Sequence, residues 1–198
     1  MDNNILVNAI TLAIAFASAQ GFWDLINYLV KRRKSKRHLL TGIEDLHEIY
    51  NKMNEIREIG AERVILFAGH NSGGVPRAHS PFYVSALHGS GADTHKIKLT
   101  DYQNLQVDGE YIKMLLECER EGFVELHLDT MKDSQLKDYY LAEGVLHGFI
   151  VYLGIVENKF LYMSISRYED KPFTETEITK IRLKTQQIAN LINKNTTE

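Results

Sequence analysis

The sequence contains very little cysteine, because Cys118 is the only one in 198 residues. A single cysteine cannot form an internal disulfide, whereas small secreted domains depend on several such bonds. The chain therefore suits a reducing compartment. It also lacks an excess of positive charge, since its formal net charge is −3. That value excludes the overall basic character typical of nucleic-acid-binding proteins, so we expect no nucleic-acid partner.

Motifs that carry catalysis or bind metals are absent from the sequence. There is no Gly-x-Ser-x-Gly turn for a nucleophilic serine, and none of the eight histidines lies in a His-x-x-x-His pair. The glycine-rich loop from Gly69 to Pro76 lacks the Gly-Lys-Ser/Thr ending of a phosphate-binding loop. Cys118 falls on the apolar face of a predicted helix, where burial makes a thiol less reactive. We therefore expect neither an enzyme nor a metal site, and the sequence identifies no cofactor.

The N-terminal segment is strongly apolar instead. Residues 5–30 contain Asp24 as their only charge, and about 20 such residues suffice to cross a hydrocarbon layer of about 30 Å. The sequence thus predicts a transmembrane anchor over residues 1–30. Two other interpretations stay open. One is a secretory signal cleaved after Ala17-Ser18-Ala19, which the acidic N-terminus disfavours, and the other is a buried helix of a soluble domain, which the length of the run disfavours.

A basic segment follows at residues 31–38. Its lysines and arginines are Lys31, Arg32, Arg33, Lys34, Lys36 and Arg37. Such side chains accumulate on the cytoplasmic side of membrane helices and attract anionic lipid headgroups. We therefore expect a single-pass protein of the inner or plasma membrane, in which these residues lie at the membrane surface and residues 39–198 form a cytoplasmic domain.

Small residues recur at every fourth position along the predicted anchor. They are Ala9, Ala13, Ala17 and Gly21. Such a row lets two membrane helices approach closely, so it predicts a homodimer. The next helix, expected up to about residue 60, carries an apolar stripe of Leu39, Ile43, Leu46, Tyr50 and Met53. This stripe suits either a coiled coil that extends the dimer or packing against the helix's own domain.

The rest of the chain alternates between short strands and helices. Apolar and β-branched runs predict strands at residues 63–68, 82–88, 123–128, 145–156 and 159–168, with a shorter one at 96–99. Asp108 caps one predicted helix, and a capping box of Thr174 and Glu177 begins the last one. A shorter helical turn is expected at residues 134–141. The pattern and the length predict one α+β domain.

The order of these elements resembles the GAF domain over residues 39–194. The likeness is greatest in the C-terminal third, in Gly148-Phe149-Ile150-Val151-Tyr152-Leu153-Gly154, in the hairpin to Tyr168 and in Pro172-Phe173-Thr174-Glu175-Thr176-Glu177. The resemblance implies an antiparallel sheet flanked by helices, with a small-molecule pocket on one face. The chain departs from the pigment-binding members, because Cys118 has no adjacent histidine.

The N-terminal quarter resembles a different group, the short membrane proteins encoded by tailed phages. Gly21-Phe22-Trp23 and the basic run before Leu39-Leu40-x-Gly42 carry this likeness. It leaves a phage or prokaryotic origin open.

We expect a membrane-anchored sensory or regulatory module that binds a small ligand or a protein partner without catalysis. The candidates for ligand binding are polar or aromatic residues in strands and loops of the expected pocket: His70, Asn71, His88, His127 and Tyr152. The alternative is a structural or assembly membrane protein, phage-encoded, whose GAF-like domain has no ligand and serves for docking. A cavity lined by polar groups favours the first hypothesis, and a cavity filled by tyrosine and phenylalanine side chains favours the second.

Overall fold

A computed structural model describes residues 43–71, 81–91, 97–156 and 159–194. The chain divides into two units, Met1–Leu46 and His47–Glu198, and the sheet lies entirely in the second. The predicted anchor, the basic segment and the row of small residues fall outside the described residues. None of the helices in the described ranges is both long enough and apolar enough to cross a membrane.

The described elements follow one another along the chain as helix α1 over residues 43–58, strands β1 (Arg63–His70) and β2 (Tyr83–Gly91), a 3-10 helix (Leu99–Tyr102), β3 (Leu105–Gln106), α2 (Gly109–Glu121), β4 (Phe123–His127), α3 (Gln135–Glu143), β5 (His147–Val156), β6 (Lys159–Arg167) and α4 (Glu175–Lys194). The strands form one six-stranded antiparallel sheet in the order β3-β2-β1-β6-β5-β4. The α+β architecture expected from the sequence, an antiparallel sheet flanked by helices, is confirmed.

One predicted strand, at residues 96–99, is wrong. Ile97 and Lys98 have no regular structure and Leu99 begins the 3-10 helix, while the short strand that pairs with β2 lies later, at Leu105–Gln106. Ile97 and Leu99 alternate as in a strand, but both side chains lie over Gly89 of β2. The alternation therefore comes from a loop that packs against the sheet.

Helices α1 and α4 cover the first face of the sheet with aliphatic side chains. Their buried residues include Ile49, Met53, Ile56, Ile178, Ile181 and Ile188, and full burial of such a side chain contributes about 1.5–3 kcal/mol. The stripe predicted on α1 is right at Met53, which is buried, and wrong at Tyr50, which is 42% exposed while Ile49 is buried instead. Ile49, Met53 and Ile56 have the same helical spacing as the predicted stripe and share Met53 with it, so the sequence alone could not decide between the two stripes.

The capping box at the start of α4 is confirmed. The backbone N–H of Thr174 donates to Oε2 of Glu177 at 2.7 Å, and the backbone N–H of Glu177 donates to Oγ1 of Thr174 at 3.3 Å. Glu177 also accepts from Nη2 of Arg167 at 3.1 Å. The backbone N–H of Thr174 is the main reason why the pKa of Glu177 is lowered. The cap thus fixes α4 to the end of β6 as well as starting the helix.

Helices α2 and α3 cover the second face, and Asp108 joins the starts of both. Its Oδ1 accepts from the backbone N–H of Tyr111 at 2.8 Å, and its Oδ2 accepts from that of Gln135, the first residue of α3, at 2.7 Å. Burial acts to raise the pKa of Asp108, but the backbone donors outweigh it and the pKa is lowered. One carboxylate therefore sets the distance between two helices.

Replacing Asp108 by alanine should destabilise the domain through both helices. We expect a loss of about 1–3 kcal/mol in the free energy of unfolding, because an N-cap contributes about 1 kcal/mol and a second backbone N–H loses its acceptor. Urea denaturation followed by circular dichroism measures this loss. Asp133→Ala is the matched control: its carboxylate is fully exposed and pairs with Lys137, so the urea midpoint should not change.

The same carboxylate should make the stability depend on acid pH. Because its pKa is lowered on folding, its contribution is present above the unfolded value of about 3.9 and is lost as the pH falls through the folded value. The stability difference between the wild type and Asp108→Ala should therefore shrink below about pH 4. A difference that stays constant down to about pH 3 would show that the charge of Asp108 does not matter.

Candidate ligand-binding site

A polar strip runs along the second face of the sheet, beneath α2 and α3. Strand residues alternate between the two faces, and Ile65 and Phe67 of β1 and Tyr162 of β6 belong to the second. Arg63 at the start of β1 and Ser164 on β6 share this face by the same alternation. The second layer therefore contains a charged group and several hydroxyls beside its apolar core.

Arg63 is buried, with 4% of its side chain exposed, and its guanidinium has partners from three elements. Nε donates to Oγ of Ser166 on β6 at 3.0 Å, and Nη1 donates to Oη of Tyr102 in the 3-10 helix at 3.2 Å. The carboxylate of Glu143, the last residue of α3, forms an ion pair with Nη1. A charge taken out of water is tolerated only when it is paired and hydrogen-bonded, and these three side chains meet that requirement.

Two tyrosines fill the middle of the second layer. The hydroxyl oxygens of Tyr111 on α2 and Tyr162 on β6 lie 2.9 Å apart in a hydrogen bond. Phe67 stacks on the ring of Tyr162, with ring centroids 5.2 Å apart. Burial raises the pKa of both tyrosines, so both hydroxyls stay protonated. They form a neutral pair in which each buried hydroxyl is the hydrogen-bond partner of the other.

A cavity of about 70 Å³ remains beside these side chains, and we call it the Arg63 cavity. Its wall includes Arg63, Tyr102, Tyr111, Tyr140, Glu143 and Ser164. The hydroxyl of Tyr140 lies over Gly148, where an added side chain would collide with it. Within the described residues this hydroxyl has Ser164 as a polar neighbour but makes no hydrogen bond of ordinary geometry. A bound water occupies about 30 Å³, so the cavity admits a compact molecule of a few heavy atoms.

Cys118 lies in the same layer and is buried, as the sequence predicted. Its thiol donates to the backbone oxygen of Ile150 at 3.4 Å. Burial raises the pKa of this thiol to about 12. A thiol that stays protonated is a poor nucleophile, so the position contributes packing rather than reactivity.

The five residues predicted to bind a ligand do not converge on the Arg63 cavity. His70, at the end of β1, forms a hydrogen bond through Nε2 with Oγ of Ser85 at 2.8 Å. Burial, together with the charge of Lys159, lowers the pKa of His70. Asn71 follows it and is buried. These two residues lie together at one end of β1, and their role in ligand binding stays a prediction.

His88 and Tyr152 lie apart from each other and from the cavity wall. The ring of His88 on β2 lies against Tyr50 of α1, with ring centroids 6.5 Å apart. The ring of Tyr152 on β5 lies against Phe160 of β6, with centroids 4.9 Å apart. Each side chain has an aromatic neighbour of its own, and a ligand contact at either position stays a prediction.

His127 is paired with a second histidine that the sequence did not indicate. It lies opposite His147 across β4 and β5, and their Nδ1 atoms are 2.9 Å apart. Nε2 of His147 lies 3.1 Å from Oδ1 of Asp170. One of the two Nδ1 atoms has to be unprotonated, since it must accept the hydrogen bond. Across the described ranges, no group of three or more His, Cys, Asp or Glu side chains is placed to hold a metal ion.

Sequence reasoning missed the residues of the Arg63 cavity. The signal that could have found Arg63 is the strand period of two, which places it on the same side as Ile65 and Phe67. A charged residue in register with two apolar ones indicates a buried ion pair. No local pattern indicates Glu143, because its partner lies far away in the sequence.

Solved structures of other proteins share this fold, although no match was found by sequence. No protein-family model and no curated protein matches the sequence. The GAF domain/HD domain protein from Geobacter sulfurreducens matches with a TM-score of 0.57 at 12% identity, over 80% of this chain and 99% of that chain. The GAF domain of a two-component sensor histidine kinase from Bacillus halodurans matches with a TM-score of 0.52 at 14% identity, over 75% and 94% of the two chains.

A phycocyanobilin-bound GAF domain from a cyanobacterial phytochrome is similar in the same way. Its TM-score is 0.57 at 14% identity, over 83% of this chain and 92% of that chain. At these identities the likeness shows the fold alone. The domain therefore has a GAF-like fold, which confirms the architecture that the sequence resemblance implied.

The hydrogen bond between Tyr111 and Tyr162 can be tested by removing one hydroxyl and then both. Each single change to phenylalanine leaves the partner hydroxyl buried without a bond, and we expect it to cost about 1–3 kcal/mol of unfolding free energy. The double variant removes both hydroxyls, so it should cost less than the two single losses added together. Urea denaturation of the four proteins measures the coupling.

The control for these variants is Tyr50→Phe, because Tyr50 is 42% exposed. Its urea midpoint should equal that of the wild type. Losses that simply add in the double variant would mean that the two hydroxyls do not stabilise each other.

Proposed function

We propose that this chain is a sensory or regulatory module that binds a small ligand or a protein partner without catalysis. The observation that carries the proposal is the Arg63 cavity, in which a buried guanidinium, a tyrosine hydroxyl and Ser164 meet beside an apolar wall. A few convergent polar groups in an apolar pocket are typical of ligand sites. The GAF-like fold, found also in the sensor-kinase domain from Bacillus halodurans, is consistent with this proposal.

The stability of the domain alone does not require the buried ion pair of Arg63 and Glu143. Well-packed aliphatic side chains in place of a buried ion pair are often as stable or more stable. A domain that needed the second layer only for packing could therefore do without Arg63 and Glu143. Their presence beside a cavity supports a binding role.

The segment over the cavity is suited to respond to a ligand. β3 contributes two residues to the sheet, and Gln103 and Asn104 attach this part of the chain to β2. Tyr102 of the same segment holds Arg63. A ligand that changed the surroundings of Arg63 would therefore shift a surface segment with few backbone bonds to the sheet, and a partner could recognise that change.

The membrane anchor and the dimer belong to the same proposal. Residues 1–30 would span the inner or plasma membrane, the basic residues 31–38 would lie at its cytoplasmic surface, and the row from Ala9 to Gly21 would join two copies. The module would then act next to the membrane. Extraction of the full chain with carbonate and with detergent, followed by cross-linking, measures both properties.

Native mass spectrometry of the full chain, purified in mild detergent, tests ligand binding directly. We expect a bound molecule that is released on denaturation. Ser164→Val should fill the cavity and reduce the bound fraction at least tenfold, which is about 1.4 kcal/mol of binding free energy. Ser164→Ala removes the hydroxyl but leaves the space open, so it should reduce the bound fraction less than Ser164→Val does. A chain that carries no ligand, and whose melting temperature responds to no small metabolite, would refute the sensory role.

One observation favours the second candidate, a structural or assembly protein with a ligand-free docking domain. Tyr111, Tyr162 and Phe67 occupy most of the second layer and leave a small space. Under this alternative Ser164→Val should preserve the oligomeric state and every partner contact. The two variants at Ser164 therefore separate the candidates.

A further inference from the structure

The ion pair of Arg63 and Glu143 is unequal in its exposure. The guanidinium side chain is 4% exposed, whereas the Glu143 side chain is 28% exposed. Arg63 begins β1 and donates to Ser166 of β6, so it is fixed within the sheet. Glu143 ends α3 and is followed by Gly144 with a φ of 71°. The cation therefore belongs to the floor of the cavity, and the carboxylate reaches it from the rim.

Glu143 also occupies an unfavourable position in its own helix. The C-terminal end of a helix carries a partial negative charge, which repels a carboxylate. The last turn of α3 has no basic residue that would offset this repulsion. The attraction of Arg63 is thus the interaction that holds Glu143 in place. Another carboxylate on Arg63 would release Glu143 to water, where it is better solvated.

We propose that the Arg63 cavity binds a small monocarboxylate, which replaces the carboxylate of Glu143 on the Arg63 guanidinium. This inference rests on the proposed function and names the ligand class of the same site. A planar guanidinium binds a carboxylate through two parallel hydrogen bonds. The Tyr140 hydroxyl, buried in the cavity wall and without a bond of ordinary geometry in the described residues, offers a donor to a second oxygen of the ligand.

Volume limits the ligand to a compact acid. The cavity of about 70 Å³ is far smaller than the pockets of about 300–1,000 Å³ that hold drug-sized ligands. Acids of the size of acetate, propionate and pyruvate fit this limit. The rings of Phe67 and Tyr102 in the wall suit the carbon end of such a molecule.

Charge limits the ligand to a monoanion. Among the described wall residues, Arg63 is the cation, and Asp101 and Glu143 are the anions. A doubly charged phosphate in place of the Glu143 carboxylate would therefore add a negative charge to a wall that already has more anions than cations. A monocarboxylate has the same charge as the group that it replaces, so the charge beside Arg63 does not change when Glu143 moves into water.

The test uses the full chain in mild detergent and follows the thermal midpoint during titration with sodium acetate, propionate or pyruvate. Sodium chloride and sodium phosphate at equal ionic strength are the comparison salts. The variants are Glu143→Gln, which removes the internal competitor but keeps a hydrogen-bond acceptor, and Arg63→Lys, which keeps the charge but loses the planar fork. Glu125→Gln on β4 is the matched control, since this glutamate is exposed.

We expect a saturable rise of the midpoint with at least one of the three acids. Glu143→Gln should lower the apparent Kd at least tenfold, Arg63→Lys should raise it at least tenfold, and Glu125→Gln should leave it unchanged. If Arg63→Lys does not fold, the apparent Kd values of the wild type and of Glu143→Gln are enough to test the inference.

Three results would overturn the inference: no response to any of the acids, an equal response to chloride or phosphate, or an affinity that Glu143→Gln does not change. A retained ligand of another class in the mass spectrum would then leave the proposed function standing. A chain that retains no ligand and does not respond to the acids would refute both the inference and the proposed function.

Discussion

The buried charge of Arg63 is the constraint on which the second layer of this domain depends. A guanidinium inside a protein has to be matched by acceptors in fixed directions, whereas apolar contacts have no preferred direction. Ser166, Tyr102 and Glu143 supply those acceptors from β6, the 3-10 helix and α3. Any movement of the C-terminal end of α3 along the sheet would therefore have to separate Glu143 from Arg63.

A second arginine, Arg167, attaches the chain to the sheet in a similar way on the first face. Arg167, at the end of β6, donates to the backbone oxygen of Gly60 at 3.0 Å and to Glu177 at 3.1 Å, and it stacks on Phe173 at 4.2 Å. Gly60 has a φ of 128°, and a side chain there would collide with the guanidinium. Because Arg63 is in register with the residue before Arg167, the two guanidiniums lie at the same end of the sheet on opposite faces. Both helical layers are thus fixed at that end.

The sequence predicted the elements better than the site because elements depend on near neighbours and the site does not. The five longer strands, the cap at Asp108 and the box of Thr174 and Glu177 each follow from a few consecutive residues and are present, whereas the short strand predicted at residues 96–99 is not. The stripe on α1 shows the limit, since two stripes of equal spacing compete and only the sheet selects one. The pairing of His127 with His147 likewise depends on the register of β4 and β5.

The size of the Arg63 cavity follows from two side chains. Tyr111 and Tyr162 meet across the same layer as Phe67 and occupy its centre. Burial keeps both hydroxyls protonated, so their bond persists over the physiological pH range. A large ligand would have to separate two buried hydroxyls and leave both without partners, while a compact one beside Arg63 disturbs neither. The tyrosine pair therefore limits the size of the space beside Arg63.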